Sequence, residues 1–182
     1  MRRLSTFAAV TTMLMSTMVV VRATPAVAAA TPCSLGSLSF TVPSSTPVAS
    51  APGKYAQNTV TLRNKSGITL RNASFDFELV LNDSRSKAPP TPTVRWRLNH
   101  YRWHSLKLRW YRGTNGNLSY FESDDTGFAT LKAGAVHSLT FQVAFHRGDP
   151  RTDYSSAVYA GSLVTCGRQL LGAGFINFAY MP

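Results

Sequence analysis

Acidic side chains are scarce in this chain: eight Asp and Glu stand against nineteen Lys and Arg in 182 residues, a formal net charge of +11. Cysteine is rarer still, with two copies. No G-x-S-x-G frame, phosphate loop, dinucleotide fingerprint or EF-hand spacing occurs. Serine-nucleophile, nucleotide and calcium-loop chemistries therefore find no motif to rest on. Beyond the first two dozen residues there is no long apolar run, no sustained 3.6-residue periodicity and no internal repeat. That pattern excludes a helical bundle, a later membrane-spanning helix and a solenoid.

What is present begins with a leader. Arg2 and Arg3 precede an uncharged, mostly apolar run from Phe7 to Val21, followed by Arg22, Pro25 and the small residues Ala26 to Ala30. This is the order of a secretory signal peptide, with A-x-A cleavage sites after Ala28 or Ala30. A membrane anchor needs about 20 apolar residues, more than this run supplies. Residues 1–30 are thus read as a signal peptide and 31–182 as a single exported domain. Nothing near Pro182 resembles a sorting signal or tail anchor. Removing the leader takes away three arginines, leaving sixteen basic and eight acidic residues and a net charge of +8. Such a protein is drawn to polyanions in general, without selecting one.

Cys33 and Cys166 both lie in the exported part, where an intrachain disulfide is expected. The competing reading makes Cys33 a lipid-modified cysteine near the cleavage region and leaves Cys166 unpaired.

The remaining pattern has a period of two. Leu38, Phe40 and Val42 alternate with polar residues, as do Val60 and Leu62, then Phe75, Phe77, Leu79 and Leu81, then Leu139, Phe141, Val143 and Phe145. Gly, Pro, Asn and Asp turns separate these segments: "NKSG" at Asn64, "NGN" at Asn115, "SDDTG" at Ser123 and "RGDPRTD" at Arg147. Tyr154 to Thr165 and Leu170 to Tyr180 supply the last strands, with Gly172 and Gly174 marking a bulge or bend. Short alternating strands between such turns predict an all-β antiparallel sandwich with one buried face per strand. Asn64, Asn72, Asn82 and Asn117 each open an N-x-[ST] sequon, which behind a leader of bacterial type is read as turn chemistry.

The stretches "NTVTLRNKSGITLRNASFDFELVLND", "WHSLKL" and "GFATLKAGAVHSLTFQVAF", within Asn58 to Phe145, resemble an immunoglobulin-like module of secreted actinobacterial proteins. The resemblance implies an immunoglobulin-like β-sandwich and an exported location, and it implies no catalytic set, because members of that group are mostly uncharacterised. The Cys33 segment and Cys166 lie outside the shared pattern.

One stretch stands apart. "TVRWRLNHYRWHSLKLRWYRG", Thr93 to Gly113, packs six Arg or Lys, two His, all three Trp and two Tyr into twenty-one positions. Alternation turns Val94, Trp96 and Leu98, and then Leu106, Leu108 and Trp110, toward the core. If the two halves pair as a hairpin, Arg95, Arg97, Lys107 and Arg109 share one outer surface, an anion-binding candidate. Asp76 and Glu78, outward on their own strand, would partly neutralise it. Tyr101, Trp103 and Tyr111 form the alternative candidate, an aromatic platform for carbohydrate. His100 and His104 sit four apart but flank a turn without a third ligand, and Glu122, Asp124 and Asp125 lack a calcium-loop frame, so no metal and no cofactor are expected. A hydrolase would need a base beside a nucleophile or two carboxylates across a cleft, and neither is visible in the sequence. RNA-binding sheets of the RNP type expose stacking aromatics, whereas alternation here buries most of them.

The sequence therefore predicts a secreted, non-enzymatic binding or structural module engaging an anionic polymer of the cell envelope or surroundings through a basic sheet face. A carbohydrate-binding module is the alternative and an unrecognised hydrolase the third reading. No specific nucleic acid and no transmembrane segment after leader cleavage are expected.

Overall fold

A computed structural model describes residues 32–81, 87–113 and 118–182. The predicted leader, the sequons at Asn82 and Asn117 and the "NGN" turn fall outside those residues. The elements are β1 (Leu38–Thr41), β2 (Val48–Ala49), β3 (Tyr55–Asn64), β4 (Leu70–Leu81), β5 (Thr93–Leu98), β6 (His104–Leu106), β7 (Leu108–Tyr111), β8 (Tyr120–Ser123), β9 (Thr126–Leu131), β10 (Val136–Ala144), β11 (Asp153–Ser162), α1 (Leu163–Cys166) and β12 (Gly167–Tyr180). They form an immunoglobulin-like β-sandwich. The first sheet runs β1-β3-β10-β5-β6; the second runs β2-β12-β11-β4-β8-β7, with β9 also paired to β4. Every pairing is antiparallel except that of β2 with β12. Among the described residues no helix is long and apolar enough to cross a membrane.

The alternation sorts side chains as expected. Phe75, Phe77, Leu79 and Leu81 of β4 meet Val60, Leu62, Leu139, Phe141 and Val143 of the first sheet in one core cluster. Aromatic rings lock its centre: Phe75 stands edge-on to Trp96 at 5.0 Å and to Phe141 at 5.4 Å, while Phe77 stacks on Phe141 at 5.1 Å. Such pairs add about 0.5–1.5 kcal/mol beyond the area they bury. Trp96, 5% exposed, is core, and Trp110 packs half-buried against the same cluster. Asn64 is buried and acts as a turn clamp: its amide nitrogen donates to the carbonyls of Ile68 and Leu131, and its oxygen accepts from the Ser66 backbone. That satisfies the sequence reading of "NKSG" as turn chemistry.

One expectation fails in an instructive way. β5 pairs with β6 through Val94↔Leu106, Arg95↔Ser105 and Trp96↔His104, but the chain then crosses at Lys107, and β7 pairs with β8 in the other sheet. Leu106 and Leu108 still face the common core. A strand that switches sheets keeps its inward side inward, because both sheets turn toward one core, while its outward side comes to face the opposite direction. The expected hairpin is therefore real only as far as Leu106. The expected single strand from Tyr154 to Thr165 likewise ends at Ser162, where the α1 turn leaves Leu163 and Val164 exposed.

The N-terminal strand is pinned to the last one. Cys33 and Cys166 form a disulfide across 133 residues of sequence. The backbone N–H of Gly36 donates to the Leu171 carbonyl at 2.9 Å. Leu171 is the extra residue of a bulge, since β11 pairs Ala160 with Gly172 and Gly161 with Leu170. At Gly172 the β1 backbone passes so close that an added Cβ would collide with the Leu38 carbonyl.

Candidate functional site

The two outer faces of the sandwich differ in chemistry. On the first sheet, the register brings Gln57, Gln142, Arg95 and Ser105 into one row across four strands, and Thr59, Thr140 and Arg97 into the next. Arg95 Nε donates to Gln142 Oε1 at 2.6 Å, Gln142 Nε2 donates to Gln57 Oε1 at 2.7 Å, and the hydroxyls of Thr59 and Thr140 lie 3.1 Å apart. Above this carpet stands a ladder of alternating rings and cations. The Arg95 guanidinium lies 4.1 Å from the Tyr55 ring centre and 4.9 Å from that of Trp103, whose ring is also covered by Arg97 at 4.6 Å. Each such contact is worth about 0.5–1 kcal/mol at an exposed site, and together they fix both side chains.

No strand of the first sheet contains an Asp or a Glu. Among the described residues the two arginines thus have no carboxylate from their own sheet beside them, and the Nε of Arg97 is buried without a hydrogen-bond partner.

The four-cation surface expected from the sequence does not form. Arg95 and Arg97 share this face; Lys107 is exposed at the crossing between sheets, and Arg109 projects from the other sheet, paired with Asp124 at 2.9 Å. That pair is exposed and contributes about 0–1 kcal/mol. Nor do Asp76 and Glu78 neutralise Arg95 or Arg97, since β4 belongs to the second sheet. The three-ring platform is split as well. Tyr101 is 69% exposed in the turn after β5, Trp103 is held between two guanidiniums, and Tyr111 stacks on Tyr120 at 5.2 Å on the second sheet. Sequence reasoning missed Tyr55, Gln57 and Gln142 as members of the face. Alternation marks Gln142 as outward, but its neighbours come from strands remote in sequence.

The outer face of the second sheet is acidic on balance, its carboxylates outnumbering Arg109, which stands opposite Glu122, and Arg168 in the adjoining cleft. Glu122 on β8 stands directly opposite Glu78 on β4, and Tyr159 on β11 stands opposite Asp76. With Asp124 and Asp125 in the adjoining turn, five of the chain's eight acidic residues gather here. Glu122 belongs to the neighbouring strand of the same sheet, more than forty residues away in sequence, so the alternation of β4 alone does not reveal it. Asp76 lines an open cleft of about 440 Å³ together with Asp125, Tyr159, Arg168, Gln169 and Leu170. Burial, then the negative charges of Asp125, Glu122 and Asp124, push the Asp76 carboxyl up to about 6. Glu78 is also raised, by burial and by Glu122, against a hydrogen bond with Tyr159 that lowers it. Among the described residues no group of three or more His, Cys, Asp or Glu is arranged to hold a metal ion. His104 instead stacks on Trp96 at 4.9 Å.

The raised carboxyl makes a prediction about pH. Folding lifts the Asp76 pKa from 3.8 to about 6, so the folded state binds the proton more tightly and stability declines as pH rises through that interval. The full effect would be roughly 3 kcal/mol, reduced by solvent screening at this half-open site to about 1–2 kcal/mol. Asp76→Asn should therefore stabilise the protein by about 1–2 kcal/mol at neutral pH and have almost no effect near pH 4. Urea denaturation at both pH values checks this; an equal gain at pH 4 would mean that charge is not the cause.

No family model matches the chain, and no curated protein does. Among solved structures it is similar to AvmM, which catalyses macrocyclization in alchivemycin A biosynthesis, with a TM-score of 0.62 and 9% identity over 81% of this chain and 90% of that one. The CARDB domain of PF1109 from Pyrococcus furiosus matches with a TM-score of 0.41 and 12% identity over 81% of this chain and 97% of that one. A family IIIa CBD from Clostridium cellulolyticum matches with a TM-score of 0.39 and 12% identity over 75% of this chain and 96% of that one. The first likeness extends to the fold alone, and the other two are too distant to carry an argument.

Proposed function

We propose that the chain is an exported, non-catalytic binding module that engages an anionic polymer through the outer face of its first sheet. In this reading residues 1–30 are a cleaved signal peptide, residues 31–182 are a single domain, and the protein belongs with the secreted actinobacterial immunoglobulin-like proteins that its sequence resembles. The observation that carries the binding role is the ladder Tyr55–Arg95–Trp103–Arg97 on a sheet without a single carboxylate. Guanidiniums held in place before a ligand arrives lose little entropy on binding, and their N–H forks match phosphate, sulfate or carboxylate groups. The carbohydrate reading that relied on Tyr101, Trp103 and Tyr111 is less well supported, because guanidiniums cover the Trp103 ring that a sugar would stack on.

The test is retention on a polyanion of defined charge density, with duplex DNA serving as a non-specific probe. Each ionic contact contributes about 0.9 to the slope of log affinity against log salt. Reversing both arginines, R95E/R97E, should reduce that slope by about 2 and elute the protein at lower salt. Reversing Lys107 and Arg109 should leave retention close to the parent's, since neither lies on the face. If R95E/R97E elutes with the parent, the reading is wrong.

A further inference from the structure

The acidic surface on the second sheet has no role in the polymer binding proposed above, on which the competition argued below rests, yet its layout repeats that of the arginine face with the sign reversed. Arg95 and Arg97 are two apart on β5, flanked on either side by paired strands; Asp76 and Glu78 are two apart on β4, flanked by β11 and β8. Residues at that spacing on one side of a strand stand about 7 Å apart, so the two pairs have matching intervals. Aromatic rings border both, Tyr55 and Trp103 around the arginines and Tyr159 across from Asp76. Among the described residues neither pair is neutralised within the chain, where the ion pair formed is Arg109–Asp124. The two faces also look in opposite directions, since each is the outer side of one sheet of a two-sheet sandwich.

We infer that the protein stacks on itself head to tail, the Arg95–Arg97 face of one copy docking on the Asp76–Glu78 face of the next. A contact between two different surfaces on opposite sides of a subunit does not close into a dimer. It propagates as an open, concentration-dependent stack. One guanidinium beside Asp76 and Glu78 relieves the mutual repulsion of those carboxylates with Glu122, Asp124 and Asp125. Single sheet faces are small for a permanent interface, which makes the stack weak and reversible. Polymer binding uses the same arginines, so a polyanion disperses the stack by competing for them.

Sedimentation equilibrium of the purified protein tests this. At low salt the weight-average mass rises with concentration without levelling at twice the monomer, and near 1 M salt, where the screening length is about 3 Å, it returns to the monomer value. R95E/R97E and D76K/E78K each remain monomeric alone, while their equimolar mixture associates again, because each reversed face now meets a partner of opposite sign. The near-isosteric D76N/E78Q also stays monomeric, and its cooperative thermal melt shows that the fold is intact. A parent that is monomeric at every concentration at low salt overturns the inference, as does a plateau at the dimer or a mixture of folded reversed variants that fails to associate. The two readings separate cleanly. D76N/E78Q retains polyanion binding if the proposed function is right, whatever happens to the stack, and loss of polymer binding in the parent leaves the sedimentation result standing.

Discussion

Gly172→Ala is expected to lower the unfolding free energy by about 1–3 kcal/mol, as overpacking against an immovable neighbour does. The neighbour is backbone. A methyl group at Gly172 would overlap the Leu38 carbonyl oxygen, with the carbonyl carbon at 2.9 Å and the Leu38 Cβ at 3.1 Å. A flexible side chain could swing away; a strand held on one side by β3 can only lift off β12. Two companion substitutions grade the effect. At Gly174 the obstruction is the Phe40 side chain, with Cδ1 at 2.8 Å and Cβ at 2.9 Å; the ring can turn but the Cβ moves only with β1, so Gly174→Ala should cost less than Gly172→Ala, where a backbone oxygen is overlapped, yet more than an open site. At Gly127 an added Cβ meets nothing within 4 Å, and Gly127→Ala should fall within about 0.5 kcal/mol of the parent. Urea midpoints for the three variants decide the matter. If Gly172→Ala proves as benign as Gly127→Ala, the β1 backbone does not pass where it is described.

The same close approach marks the limit of what the sequence discloses. Two glycines two positions apart in a terminal strand announce an irregularity, and the bulge at Leu171 is there, but nothing in their spacing names Leu38 as the segment that needs the space. The buried side of the principal alternating strands was legible: Phe75, Phe77, Leu79 and Leu81, Val60 and Leu62, and Leu139, Phe141, Val143 and Phe145 face inward because water on one side and a core on the other impose a period of two. What alternation cannot encode is which sheet a strand belongs to. The rhythm from Trp96 to Trp110 is unbroken across Lys107, since each sheet presents its inner side to the same core, and this is why four cations that look like neighbours divide between opposite faces. The candidate site itself depends on pairings between Tyr55, Arg95 and Gln142, residues tens of positions apart, and only strand order could bring them together. The acidic face escaped notice for the same reason, with Glu78 and Glu122 meeting across β4 and β8. The α1 turn was hidden differently: Leu163 and Val164 have the composition of a buried strand and yet are exposed beside the disulfide.

Replacing both cysteines, Cys33→Ser with Cys166→Ser, should cost about 2–5 kcal/mol and bring the melting transition down by many degrees. A link across 133 residues removes much of the freedom of the unfolded chain, and the chain-entropy model sets its contribution near 5 kcal/mol. The link also has a local task. Cys33 precedes β1 and Cys166 ends α1, so the bond holds the N-terminal segment against the start of β12, beside the Gly36–Leu171 hydrogen bond and the Gly172 contact. β1 is the edge strand of its sheet, paired with β3 alone, and it is the part of the sandwich with most to lose. The two contributions can be told apart by a double-mutant cycle. A purely unfolded-state effect makes the costs of Gly172→Ala and of cysteine removal add within about 0.5 kcal/mol. If the disulfide also keeps β1 seated on β12, a protein without it has already loosened that contact, and Gly172→Ala then costs clearly less than in the parent. The second result is the expected one, because all three restraints converge on the same few residues, and simple additivity would show that β1 stays docked without its covalent tether.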